Sequence, residues 1–195
     1  MSLKNPGNPY GDLELTDPRA MRALAHPVRL AILSHLQRHG PATATELSEH
    51  VDASPSVVSW HLRHLAGFGL VRDSDVGGDA RKRYWEAAAR GIRLELADDE
   101  EGREAGRVLG RTMMQAAAGL PQRWMDEVEP VLEPAWHREA GLANTRIRVT
   151  AEELAGISAA VEELLAPYVT RADADVPAEA RGVRLLRYTL PEAGS

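Results

Sequence analysis

The stretch TATELSEHVDASPSVVSWHLRHLAGFG, residues 43–69, decides how the chain is read. Thr43 and Glu46 have the T-x-x-E spacing of a capping box, so a helix is expected from Ala44 with Leu47 and Val51 on its apolar side. Asp52 and Ala53 interrupt it. Ser54 then stands where a hydroxyl accepts from the free N–H groups of a first helical turn. Pro55 occupies the first helical position, where its missing N–H is harmless. The second helix is expected to reach Ala66, with Gly67 and Gly69 as its stop. The pair reads as a helix-turn-helix.

The second helix has two faces. Val58, Leu62 and Leu65 recur at i, i+4 and i+7 and form its buried stripe. Ser56, Ser59, Trp60 and Arg63 fall on the other side. No Asp or Glu occurs from Ala53 to Arg72, although the chain carries a net charge of −6. Hydroxyls, imidazoles and an arginine facing outward without carboxylates suit a polyanion, as a recognition helix in a DNA major groove requires. The alternative is an ordinary solvated surface helix.

Just downstream, Leu70–Ser74 reads as a strand, Asp75–Ala80 as a turn containing Gly77-Gly78, and Arg81–Glu86 as the returning strand. Arg81, Lys82 and Arg83 set three cations beside the hairpin tip. Two helices followed by a basic hairpin describe a winged helix-turn-helix, whose wing cations lie on phosphates and carry no sequence information.

The order ALAHPVRLAILSHL, ATELSEHVDASPSVVSWHLRHLAGFGLV, then a hairpin ending in RKRYW resembles the ArsR-type winged helix regulators. The shared elements are A-x-x-H-P-x-R-L-x-I-L, S-x-V-S-x-H-L-x-x-L and G-L-V, and the resemblance covers residues 17–90. It implies a dimeric DNA-binding transcription regulator, with Ser54, Ser56, Ser59, Trp60, His61, Arg63, His64, Arg81, Lys82 and Arg83 on the DNA side. Many such regulators sense metals through cysteines, and this chain has none.

Charge divides along the same boundary. Residues 17–90 hold 10 basic and 8 acidic side chains, net +2, whereas residues 91–195 hold 12 basic and 19 acidic, net −7. The acidic half is expected to face away from DNA. Residues 1–16, with Pro6, Gly7, Pro9 and Gly11, read as a flexible arm. Asp17-Pro18 caps a helix bearing Met21, Leu24 and Ala25. His26-Pro27 breaks it and starts another with Val28, Leu30, Ile32, Leu33 and Leu36. In ArsR-type proteins the first of these helices also contributes to the dimer. His35 and His39 stand four apart, a spacing that could grip one metal ion, but a solvated pair is favoured because no Cys, Asp or Glu ligand has an obvious place beside them. His61 and His64 read as phosphate contacts or local hydrogen-bonding groups.

Residues 91–195 read as a small α+β domain. Ile92, Leu94 and Leu96 alternate as a strand. Asp98 to Glu101 precede a helix running to Ala118, which carries a glycine row at 102, 106 and 110 suited to close approach by another helix. Pro121 opens a helix with Trp124, Met125 and Val128. Thr145–Val149 alternates as a second strand, Thr150-Ala-Glu-Glu caps an amphipathic helix bearing Leu154, Ile157, Val161, Leu164, Leu165 and Tyr168, and Val183–Leu190 alternates as a last strand. Trp124, Met113, Met114, Met125 and Trp136 could line an apolar pocket, but a plain core role is favoured. No catalytic triad order, phosphate loop or metal-ligand spacing occurs.

The fold class expected is α+β, a winged helix-turn-helix at 17–90 with a second α+β domain at 91–195 for dimerisation or effector binding. The function expected is a homodimeric, cytoplasmic, non-enzymatic DNA-binding regulator, a repressor with room for a small-molecule effector. It would act on a double-stranded operator, with no cofactor, metal or membrane. The alternatives are a methyltransferase-like enzyme using the winged helix only to dimerise and a protein-interaction adaptor. Against the first stand the lack of a Gly-rich cofactor loop and a second half too short for a doubly wound domain.

Overall fold

A computed structural model describes residues 8–76, 82–95 and 99–192. Structure begins earlier than the flexible arm read at 1–16 suggests. Asn8 accepts from the Asp12 N–H at 3.0 Å and donates to the Asp12 carbonyl at 2.8 Å, folding a turn that delivers β1 (Leu13–Leu15). This strand pairs in parallel with Ile92–Leu94 (β5), Leu13 opposite Ile92 and Leu15 opposite Leu94. Leu15 is buried in the core, which explains why the segment is anchored.

Asp17 caps α1 (Pro18–Leu24), its carboxylate accepting from the Arg19 N–H at 2.8 Å. The next helix, α2 (Pro27–His39), begins at Pro27 with an imidazole as its cap: His26 Nδ1 accepts from the Val28 N–H at 3.2 Å. After the short β2 (Ala42–Thr43), the expected capping box opens α3 (Ala44–Ser48). Thr43 Oγ1 accepts from the Glu46 N–H at 3.2 Å, and Glu46 Oε2 accepts from the Thr43 N–H at 2.7 Å. The Thr43 N–H and, at 2.9 Å, the Thr43 hydroxyl both donate to the Glu46 carboxylate and hold it below its ordinary range. The last helix of this unit is α4 (Pro55–Ala66). Met21, Leu24, Ile32, Leu47, Val58, Leu62 and Leu65 are buried among these four helices, each contributing roughly 1.5–3 kcal/mol.

Gly69 takes φ +69°, a left-handed turn that admits the chain to the wing. Here β3 (Val71–Ser74) and β4 (Tyr84–Ala87) run antiparallel, and β2 adds to the free side of β4, giving the order β2-β4-β3. Trp85, 3 % exposed, seals the wing onto the helical core. The tip residues Gly77, Gly78, Asp79, Ala80 and Arg81 lie outside the described residues.

The second half departs from the α+β domain expected for 91–195. The helix α5 (Glu100–Ala117) forms, capped by Asp99 accepting from the Gly102 N–H at 2.7 Å. It lies on α1, burying Gly102, Ala105, Gly106 and Leu109, while Arg22 reaches Glu101 at 2.7 Å. Of the glycine row, Gly102 and Gly106 are buried, whereas a Cβ at Gly110 would meet nothing within 4 Å. Beyond it the chain makes α6 (Leu120–Arg123), a π turn at Trp124–Val128, a 3₁₀ turn at Glu129–Val131, α7 (Pro134–Glu139) and α8 (Ala151–Val169). The Thr150–Glu153 capping box of α8 is present, and Arg93 pairs with Glu162 to moor that helix to β5.

The strands expected at 145–149 and 183–190 do not form; both segments are unpaired and exposed. Alternation specifies a strand only where a sheet edge receives it, and neither segment pairs with the β1-β5 or the β2-β4-β3 sheet. Leu96 and Asp98 lie outside the described residues. The aromatic and methionine set is not core: Met113, Met114 and Met125 are exposed, and Trp124 and Trp136 only half-buried. The whole is α+β, a winged helix-turn-helix followed by a helical region.

Candidate nucleic-acid interface

The outward face of α4 is built from four side chains. Ser56, Trp60 and Arg63 are exposed and Ser59 half-buried, all opposite the stripe of Val58, Leu62 and Leu65. Arg63 Nη1 donates to Ser59 Oγ at 2.9 Å. Among the described residues Arg63 meets no carboxylate, so its remaining N–H groups are available to an acceptor. Trp60, 52 % exposed, stacks on His64 with ring centroids 5.6 Å apart and planes 20° apart. Such a plate offers an apolar surface for a thymine methyl or a deoxyribose.

At the start of the helix, Ser54 takes the N-cap position but its hydroxyl does not cap. It bonds instead to Ser56 Oγ at 3.0 Å. The first-turn N–H groups are left facing outward beside two hydroxyls, an arrangement that favours an anionic oxygen.

His61, read from the sequence as a DNA contact, sits on the wrong side. It is 4 % exposed, its ring 4.8 Å from that of His26, and its Nδ1 is buried with no hydrogen-bond partner. The helical period explains this: position 61 is i+3 from Val58 and i−4 from Leu65, so it completes the buried stripe. Burial, followed by the charges of His26, Arg29 and His64, holds its imidazole below the ordinary range. Burial and Arg29 lower His64 in the same sense.

Arg29 belongs to this neighbourhood and was missed. Its guanidinium lies 6.0 Å from the Trp60 ring, and its Nε and Nη1 are buried without partners. The signal was present, since position 29 is i+3 from His26 and i−3 from the buried Ile32, which carries the side chain under α4.

The wing differs from three free cations. Arg83 donates to Asp73 at 2.5 and 2.8 Å and lies 4.3 Å over the Trp85 ring. The pairing lowers Asp73 and raises Arg83 from their ordinary values. Arg72 is likewise taken by Glu86 at 2.6 Å. Lys82 is exposed and makes no ion pair among the described residues, and Arg81 lies outside them.

Residues 24–73, spanning α2 to β3, match the helix-turn-helix domain family. Among solved structures, the chain is similar to the crystal structure of a possible transcriptional regulator for arsenical resistance, at 28 % identity over 49 % of this chain and 83 % of that one, with a TM-score of 0.32. No curated protein matches the chain. The fold and the matched segment together place a helix-turn-helix domain in the N-terminal half. No helix among the described residues is long and apolar enough to cross a membrane.

Proposed function

We propose that the chain is a sequence-specific transcription regulator, a repressor acting as a homodimer on a double-stranded operator. The observation that carries this reading is the carboxylate-free outward face of α4, where Arg63 is steadied by Ser59 beside the exposed Trp60. Arg63 reads a guanine edge in the major groove, Trp60 packs against the groove wall, and the Ser54–Ser56 end of the helix and Lys82 meet backbone phosphates.

One such face offers too little contact for specific recognition. Two copies, with recognition helices about 34–36 Å apart to enter successive major grooves, supply it. Support for the second copy comes from α5, which buries Gly102, Ala105, Gly106 and Leu109 and leaves Val108, Met113 and Met114 exposed. Repression follows from occupancy alone, since a dimer seated on a promoter excludes other proteins from it. A gel shift of the full chain on the promoter region of its own gene tests the reading. A discrete complex that survives excess unrelated duplex is the expected result, and a shift abolished equally by any duplex overturns sequence specificity.

A further inference from the structure

A cleft of about 530 Å³ lies between α2 and the end of α3, away from the outward face of α4, and is lined by Ala31, His35, Arg38, His39 and His50. Its side chains are basic or titratable to basic, and no carboxylate lines it. His35 is the hub: its ring centroid is 4.6 Å from that of His39 and 4.5 Å from that of His50. Sequence spacing suggested only the His35–His39 pair; the fold adds His50 from the turn after α3. Arg38 Nε donates to the Ser34 carbonyl at 3.0 Å, which steadies the guanidinium at the rim, and Arg184 contributes further positive potential there.

This arrangement disfavours a metal ion. His35 and His50 are stacked with planes 25° apart, so their lone pairs do not converge, and the described residues contain no group of three ligands placed to hold a metal. A cation would also meet Arg38. An oxyanion meets the opposite situation. Each imidazolium N–H and the guanidinium fork can donate a charge-assisted hydrogen bond to it.

We propose that this cleft is a binding site for a small multivalent oxyanion of the phosphate type, held by Arg38 together with His35, His39 and His50. Burial, followed by the charges of His50, His39 and Arg38, lowers His35 from its ordinary value, and an anion in the cleft acts in the opposite sense, drawing a proton onto that ring. His50 lies four positions before Ser54, the N-cap of α4. An anion that pulls His50 toward His35 and Arg38 thus bears on the turn that aims the recognition helix. That regulatory consequence rests on the DNA-binding reading above; occupancy of the cleft does not.

Titration calorimetry of the full chain with inorganic pyrophosphate tests the site, in wild type and in Arg38→Gln and His50→Gln. Both positions are exposed, and circular dichroism establishes that the variants fold. We expect saturable binding at one site per chain, about tenfold tighter near about pH 6 than near about pH 8, with net proton uptake. Each variant should weaken it by about tenfold or more. Absence of saturation by about 10 mM, or undiminished binding in both variants, overturns the assignment. Stoichiometric zinc binding that His50→Gln abolishes would also overturn it, in favour of a cation site. So would weaker duplex binding by Arg38→Gln in anion-free buffer with a shallower salt slope, which would give these cations to the DNA backbone. Failure of the wild type to bind any duplex refutes the regulator reading and leaves the calorimetry to decide the cleft.

Discussion

Ser59 Oγ accepts from Arg63 Nη1 at 2.9 Å, one helical turn apart on the outward face of α4. A long side chain that reads bases must be ordered before it binds, and this bond removes part of that entropy in advance.

Arg63→Ala is expected to weaken operator binding by roughly 1–3 kcal/mol and to relax preference at one base pair. Ser59→Ala should produce a smaller loss at the same base pair, because it frees the guanidinium without removing it. Gel shifts on a panel of single-base operator variants check both. Equal loss on every sequence would make Arg63 a phosphate contact.

The wing cations should separate by their partners. Lys82→Ala is expected to weaken all duplexes alike and to reduce the slope of log K against log salt by about 0.9, one phosphate contact. Arg83→Ala should change that slope less, since Asp73 already neutralises Arg83. Asp73→Asn releases the guanidinium and should steepen the slope. Fluorescence anisotropy over a salt series distinguishes these outcomes, and an Arg83 slope equal to that of Lys82 would refute the division.

The buried His61 predicts acid sensitivity. Its folded state favours the neutral ring, while the unfolded chain takes up a proton as pH falls through the ordinary histidine value of about 6.5. Its contribution to stability is therefore complete above that value and declines as pH drops through it toward the lower folded value. Urea unfolding midpoints from about pH 8 to about pH 5 should fall on acidification. The fall should be shallower in His61→Leu, though not absent, because His26, His35 and His64 are lowered in the same direction.

Gly106 is buried on α5, the helix that packs on α1. Gly106→Leu overpacks that contact and should destabilise the fold by about 1–3 kcal/mol, read as a lower urea midpoint. Ending the chain after Gly119 should leave that midpoint nearly unchanged, since Ala166 is the one apolar side chain in the buried core beyond α5 among the described residues. Ending it at residue 90 removes both β5 and α5 and should lower the midpoint. Sedimentation of the two fragments then shows whether α5 contributes to the proposed dimer.

Local chemistry made the first half legible. Capping boxes at Thr43–Glu46 and Thr150–Glu153, Pro at helix starts and the stripe at Val58, Leu62 and Leu65 are signals within one turn, and the structure carries them. What depended on distant partners was lost. His61 was misplaced because polarity outweighed its position in the stripe, and Arg83 because its neutralising Asp73 sits on the opposite strand. The strands read at 145–149 and 183–190 have the right period but join neither sheet. Leu13–Leu15 has little pattern of its own and becomes a strand because Ile92–Leu94 is there to meet it.

The pairing of those last two segments has a consequence for synthesis. The three residues of β1 are translated before the whole winged unit that separates them from their partner β5. During translation β1 waits without a partner, so a segment made ahead of the winged unit settles after it. A nascent chain halted before Ile92 would hold a helical core with Leu13–Leu15 loose, and release of a few more residues would fasten it.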